Sequence, residues 1–176
     1  MTAPIQSGET QEMKHVFLVS CVAEKQECPT PAKELYLSPL FQKSRKLVEA
    51  TKCPWFILSA KHGLLHPDEV IYPYNETLNK MPQEKRKAWE ERVKAWAEKV
   101  KAQMDNNLPD AKTVVILAGK NYYECLTPYL EERFGPANIK ILMEGMRIGE
   151  RLSWLNSAEA KSWSCKCQDS DEADKE

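Results

Sequence analysis

Apolar residues along the chain gather into four short runs. Lys14–Cys21 (KHVFLVSC), Trp55–Leu58 (WFIL), Val114–Leu117 (VVIL) and Ile139–Met143 (IKILM) are brief and mostly β-branched, aliphatic or aromatic. Runs of this length and makeup predict buried strands. Between them the apolar positions change period. After Ser38-Pro39, a good helix start, Leu40, Phe41, Ser44, Leu47 and Val48 recur at helical spacing. Residues 82–104 predict the longest helix, with Trp89, Val93, Trp96, Val100 and Met104 on one stripe and many charges elsewhere. A further helix runs from Gly119 to about Phe134, bent or split at Pro128, and a last one covers Arg147–Leu155. Residues 22–36 read as loop ending in a helical turn, and Pro67, Pro73 and Pro82 limit regular structure after the second strand.

Short strands alternating with helices are βαβ units, so the expected fold class is α/β: one mostly parallel sheet with helices on both faces. No internal repeat or linker interrupts residues 14–156, which are expected to form a single domain. Residues 1–13 read as a flexible leader without secretory features. Residues 157–176 read as an ordered remnant running into a disordered acidic tail.

Composition narrows the class further. No run approaches the roughly 18 apolar residues needed to span a bilayer, so no membrane role is expected. The six cysteines follow no framework, so reduced thiols and a cytoplasmic location are expected. Cys165 and Cys167 lack the spacing of a zinc-binding pair, and neither metal nor cofactor is expected. The overall charge of −1 hides a split: the tail and leader hold most of the excess acid, leaving about +5 on residues 13–168. A basic body permits an anionic partner. Lys80, Lys85, Arg86 and Lys87, at the start of the long helix, are the candidates for phosphate contacts, although the same charges also suit a solvated helix face.

Ligands of open parallel sheets bind beyond the carboxyl ends of the strands. The residues found there are Ser20, Cys21 and Lys25; Ser59, Lys61, His62 and Gly63; Gly119, Lys120, Asn121 and Tyr122; and Glu144, Gly145 and Met146. Dinucleotide fingerprint, P-loop, zinc-protease and nucleophile-elbow motifs are all missing. The segment SAKHGLLHPDEVIYPYNETL (59–78) is an extended loop too rich in Leu, Ile and Tyr for a linker, and it is expected to bind. It carries Lys61, His62, Asp68, Glu69, Tyr72, Tyr74, Asn75 and Thr77.

The ordered blocks LVSC-x3-K, A-x2-LY-x-SPLF, ILSAK-x-GLL-x-P, YPY-x2-TL, LAG-x2-Y and G-x3-G-x-RLSWL resemble a prokaryotic and phage domain family. That family is associated with the uracil-DNA glycosylase-like superfamily and, more loosely, with peroxide-stress proteins and a domain of tRNA-guanine modification enzymes. The resemblance covers roughly residues 14–155. It implies a three-layer α/β/α domain around a four-stranded sheet ordered 2-1-3-4. It also implies an antiphage DNA glycosylase removing a modified base, such as glucosylated hydroxymethylcytosine, to leave an abasic site. The partner would be modified phage DNA, with no obligate protein partner. Its motif positions are Cys21, Lys25, Tyr36, Ser38, Ser59, Lys61, Gly63, Tyr74, Thr77, Gly119, Tyr122, Gly145 and Gly149. His62 stands where the pattern commonly has Tyr, and Asn75 where it commonly has Asp.

Breaking an N-glycosidic bond requires a held base, a donor to the departing base and a placed water. Tyr36, Tyr74 or Tyr122 would stack; Lys61 or His62 would stabilise the leaving base; Asn75, Asp68 or Glu144 would orient water. Two other readings use the same pocket. One is a hydrolase or transferase of small nucleosides or nucleotides, and the other is a module that binds a modified nucleotide without turning it over.

Overall fold

A computed structural model of the chain describes residues 13–78 and 83–168. The elements in chain order begin with β1 (Met13–Ser20), β2 (Thr30–Pro31), α1 (Ala32–Leu35), α2 (Pro39–Thr51), β3 (Trp55–Ser59), β4 (Gly63–Leu65) and β5 (Val70–Ile71). After a 3-10 turn at Gln83–Lys85 come α3 (Arg86–Asn107), β6 (Ala111–Leu117) and α4 (Lys120–Tyr123). A second 3-10 turn leads to α5 (Thr127–Phe134), and a third to β7 (Ile139–Ile141), α6 (Ile148–Leu155) and α7 (Ala158–Gln168).

The main sheet has the order β4-β3-β1-β6-β7, parallel except for β4. The expected four-stranded sheet is therefore corrected to five strands. Gly63–Leu65, expected to be irregular, turns back from Ser59 and pairs antiparallel with β3. The turn depends on Gly63, whose φ of +76° is costly for any residue with a Cβ. The small β2–β5 pair forms a separate antiparallel ribbon.

Val16–Val19, all five residues of β3 and Val114–Leu117 are buried, as strands covered on both faces must be. The chain steps from β1 to β3 on one side and later to β6 on the other. With right-handed crossovers, those opposite steps put α2 on one face of the sheet and α3 on the other. α6 and α7 pack with α2, while α3 covers β4 and α5 lies against β6 and β7.

Local signals explain several boundaries. The Ser38 hydroxyl accepts the Phe41 N–H at 3.2 Å with Pro39 in the first turn, and Lys52 closes α2 in the left-handed region. Pro128 sits in the first turn of α5, so the expected long helix after Gly119 is split into α4, a 3-10 turn and α5. The long helix itself begins at Arg86 and buries Trp96, Ala97, Val100 and Met104.

Both domain boundaries also move. Met13, assigned to the leader, already belongs to β1. The fold runs past residue 156, because Ser157 accepts the Ala160 N–H and starts α7. Ala160 is fully buried, and Trp163 stands edge-on to His15 and Phe17. Only residues 169–176 of the expected tail lie outside the described residues, as do residues 1–12 of the leader. Among the described residues no helix is long and apolar enough to cross a membrane.

Candidate active site at the mouth of the central strands

β1 is the strand from which the chain departs in both directions, so its carboxyl end faces the crevice where such sheets hold ligands. A connected set of polar side chains gathers there. The Ser59 hydroxyl, at the end of β3, accepts the N–H groups of Lys61 and His62 at 3.3 and 3.0 Å. It donates in turn to the Tyr74 hydroxyl at 2.7 Å. The Tyr74 and Tyr36 hydroxyls are 2.6 Å apart. Beside them the Cys21 thiol meets the Tyr122 hydroxyl at 3.4 Å, and Tyr122 is also bonded to Thr77 and the Leu78 backbone.

Two basic side chains rest on one phenol ring of this network. The Lys25 ammonium lies 4.5 Å from the centre of the Tyr74 ring and 5.7 Å from that of Tyr36. The His62 imidazole stands edge-on to Tyr74, with centroids 5.5 Å apart. Its Nε2 is buried and has no hydrogen-bond partner among the described residues. Burial, then Lys61 and Lys99, holds His62 below the usual imidazole range, so it is neutral at pH 7. Burial likewise pushes the Tyr36, Tyr74 and Tyr122 phenols above their ordinary value and keeps them protonated. The hydroxyls and the imidazole thus form a wall of neutral donors, with the Lys25 ammonium laid over it.

The Ser59–Leu65 turn is braced from α3. Trp96 donates its indole N–H to the Ser59 carbonyl at 2.8 Å, and Lys99 reaches the Lys61 carbonyl at 3.1 Å. Gln103 uses both ends of its amide: it donates to the His62 carbonyl at 2.9 Å and accepts the Leu64 N–H at 2.7 Å. These residues recur at helical spacing (i, i+3, i+7), so one face of α3 grips the turn. The sequence reading assigned Trp96 to the core stripe and gave Lys99 and Gln103 no role. The available signal is an amide at helical spacing from Trp96 and Lys99.

The expected site residues therefore divide. Cys21, Lys25, Tyr36, Ser59, His62, Tyr74, Thr77 and Tyr122 come together, and Gly63 shapes their turn. Tyr36 has no exposed surface and Tyr122 is buried, so the expectation that either stacks a base is corrected: both support the wall. Lys61 and Asn75 are exposed beside it. Ser20 instead lines a small cavity of about 20 Å³ with Ser44 and Arg151. Gly119 caps α4, and open space lies where its Cβ would be. Asp68 is held below the usual carboxylate range by its 2.6 Å pair with Lys33, which ties it to α1.

Glu144 and Gly145 belong to a different feature. They line an open groove of about 650 Å³ with Met146, Gly149, Glu150, Ser153 and Trp154. Of the expected phosphate contacts, Lys85 and Lys87 are exposed at the start of α3, Arg86 opens that helix, and Lys80 lies outside the described residues. Among the described residues no three His, Cys, Asp or Glu side chains converge on a common point suited to a metal.

Residues 16–157 match the model of a family described as "Family of unknown function (DUF6884)". The chain belongs to that family. The match runs from β1 to the start of α7 and so takes in every residue of the DUF6884 site just described. The chain is also 30% identical over 127 residues to "Uncharacterized protein YfjM" of Bacillus subtilis (strain 168), covering 68% of this chain and 79% of that protein. No solved structure matches.

Proposed function

We propose that this DUF6884 chain is a DNA glycosylase of the uracil-DNA glycosylase-like kind, acting in antiviral defence on a modified base such as glucosylated hydroxymethylcytosine. The observation that carries the reading is His62: a neutral imidazole whose buried Nε2 is unpartnered beside the crevice. In hydrolysis, water bonds to the anomeric carbon, and the electrons of the C–N bond leave with the base. A donor fixed in place without a competing partner stabilises that departing charge without reorganising. Ser59 fixes the turn and Tyr74 fixes the ring, while the Lys61 ammonium adds positive charge from the rim. Asn75 orients the water. The exposed aromatic of this segment is Tyr72, and stacking passes to it.

One observation favours a second reading. No carboxylate takes part in the hydroxyl network among the described residues, and a wall of neutral donors also suits a module that binds a modified nucleotide without breaking it. An abasic-site assay separates the two. The protein is incubated with glucosylated hydroxymethylcytosine DNA, plain DNA and uracil DNA, then alkali cuts any abasic sites. Cutting of modified DNA alone is the expected result. Lys61→Ala and Asn75→Ala should each lower turnover about 10²–10³-fold with the fold intact. Binding without cutting would replace the glycosylase with the binding module.

A further inference from the structure

Lys25 is a half-buried lysine with an unusual set of neighbours. Its ammonium has one hydrogen bond, a 3.3 Å contact to the Ala23 carbonyl, and otherwise lies on the faces of two phenol rings. Among the described residues no carboxylate lies within ion-pair distance of it. Its backbone is anchored by a bridge to Tyr36, so the amine is presented from an ordered segment beside the mouth of β1. Lysines kept from water without a countercharge are the ones that act as amine nucleophiles toward carbonyl carbon. Burial moves this amine below the usual lysine range. His62, with its unpartnered Nε2, packs against the same Tyr74 ring.

We propose that Lys25 gives this site a second activity, cleavage of the DNA strand at an abasic deoxyribose through an imine. This deepens the glycosylase reading, whose product it would consume, and it has its own chemistry. The Lys25 ammonium gives a proton to solvent, the neutral amine adds to the C1′ aldehyde of the ring-opened sugar, and the carbonyl oxygen, protonated from solvent, leaves as water. The resulting iminium acidifies C2′, whose proton passes to His62 Nε2 in the Nδ1–H tautomer, the Nε2–H tautomer being the one that serves base release. The electron pair left on C2′ forms the C2′–C3′ double bond as the C3′–O bond breaks and the 3′ phosphate departs. Water then hydrolyses the imine, returning the amine and leaving an unsaturated aldehyde on the 5′ fragment. No oxidant or reductant is consumed.

The test uses the full chain and duplex DNA in which the abasic site has been made beforehand, with sodium borohydride to reduce any imine to a stable cross-link. Wild-type protein is expected to give a cross-linked band on a denaturing gel. Lys25→Ala and Lys25→Arg should lose it, the arginine variant serving as the fold-preserving control because it keeps the charge. Lys46→Ala, an exposed change on α2, should retain it. No band from wild type, or a band that survives Lys25→Ala, overturns the proposal. Base release from intact modified DNA is scored separately. Release without cross-linking overturns the role of Lys25 and leaves the glycosylase; cross-linking without release does the reverse.

Discussion

Gln103 is the side chain on which the geometry of the Ser59–Leu65 turn most depends, and its removal has a calculable cost. Gln103→Ala deletes two hydrogen bonds, to the His62 carbonyl and from the Leu64 N–H. Each is worth about 0.5–1.5 kcal/mol net, and orphaning the N–H of buried Leu64 adds roughly 1 more, for a total of about 2–4 kcal/mol. Gly63 supplies a cross-check. A Cβ at Gly63 would lie 2.2 Å from Gln103 Oε1, so Gly63→Ala must both adopt a strained positive φ and push the amide off its partners. In a Gln103→Ala background the φ strain, roughly 1–2 kcal/mol, remains, together with a tight 3.2 Å approach of the new Cβ to Val100 Cγ2. The double mutant should therefore be less destabilised than the sum of the singles by about 2–4 kcal/mol. Urea unfolding of the four proteins measures this directly, and hydrogen exchange at the Leu64 amide reports the local opening. Additivity within about 0.5 kcal/mol would refute the clamp. So would a Gln103→Ala protein as stable as wild type.

Three other outcomes follow from the same geometry. Tyr74→Phe should cost more stability than Tyr36→Phe, because the Tyr74 hydroxyl joins Ser59 to Tyr36 and its loss leaves two buried hydroxyls short of a partner, about 1–3 kcal/mol; equal unfolding midpoints would sink that ordering. His62 is held below its unfolded value near 6.5. The unfolded chain therefore binds the extra proton, and the contribution of His62 is complete above about pH 6.5 and lost as pH falls through the folded value. His62→Gln should flatten the fall in unfolding midpoint below that pH, and an unchanged slope would count against the assignment. If Lys85 and Lys87 each meet one phosphate, replacing both with Ala should reduce the slope of log affinity against log salt by about 2, and an unchanged slope would return them to a solvated helix face.

How far the fold could be read from sequence depended on what each segment had to bury. The parallel strands are covered on both faces, so Phe17, Ile57 and Val115 sit in uninterrupted apolar runs that have no other reading. β4 was missed because GLL is three residues long and its pairing depends on a glycine turn stabilised from α3, a long-range cause that no local window contains. α7 is legible only as an ordered remnant for a related reason: the Ser157 cap and the packing of Ala160 and Trp163 hold it because α2 and β1 offer a surface for it.

The candidate site was legible as a list of residues but not as an arrangement. Strand-end position correctly gathered Cys21, Ser59, His62 and Tyr122, because the carboxyl ends of parallel strands converge whatever their register. It could not say which aromatic rings would be open, since Tyr36, Tyr72 and Tyr74 share one composition and differ only in what the chain folds over them. Nor could it separate Glu144 from the wall, because β7 ends at an edge where the next residues line the open groove. The consequence is chemical. For the proposed reaction, with Asp68 paired to Lys33 and Glu144 in another groove, the groups gathered at the wall are its neutral donors and the amine of Lys25. In the proposed glycosylase a water nucleophile would depend on orientation and on stabilising the departing base, which would make the rigidity of the Ser59–His62 turn the quantity on which turnover rests.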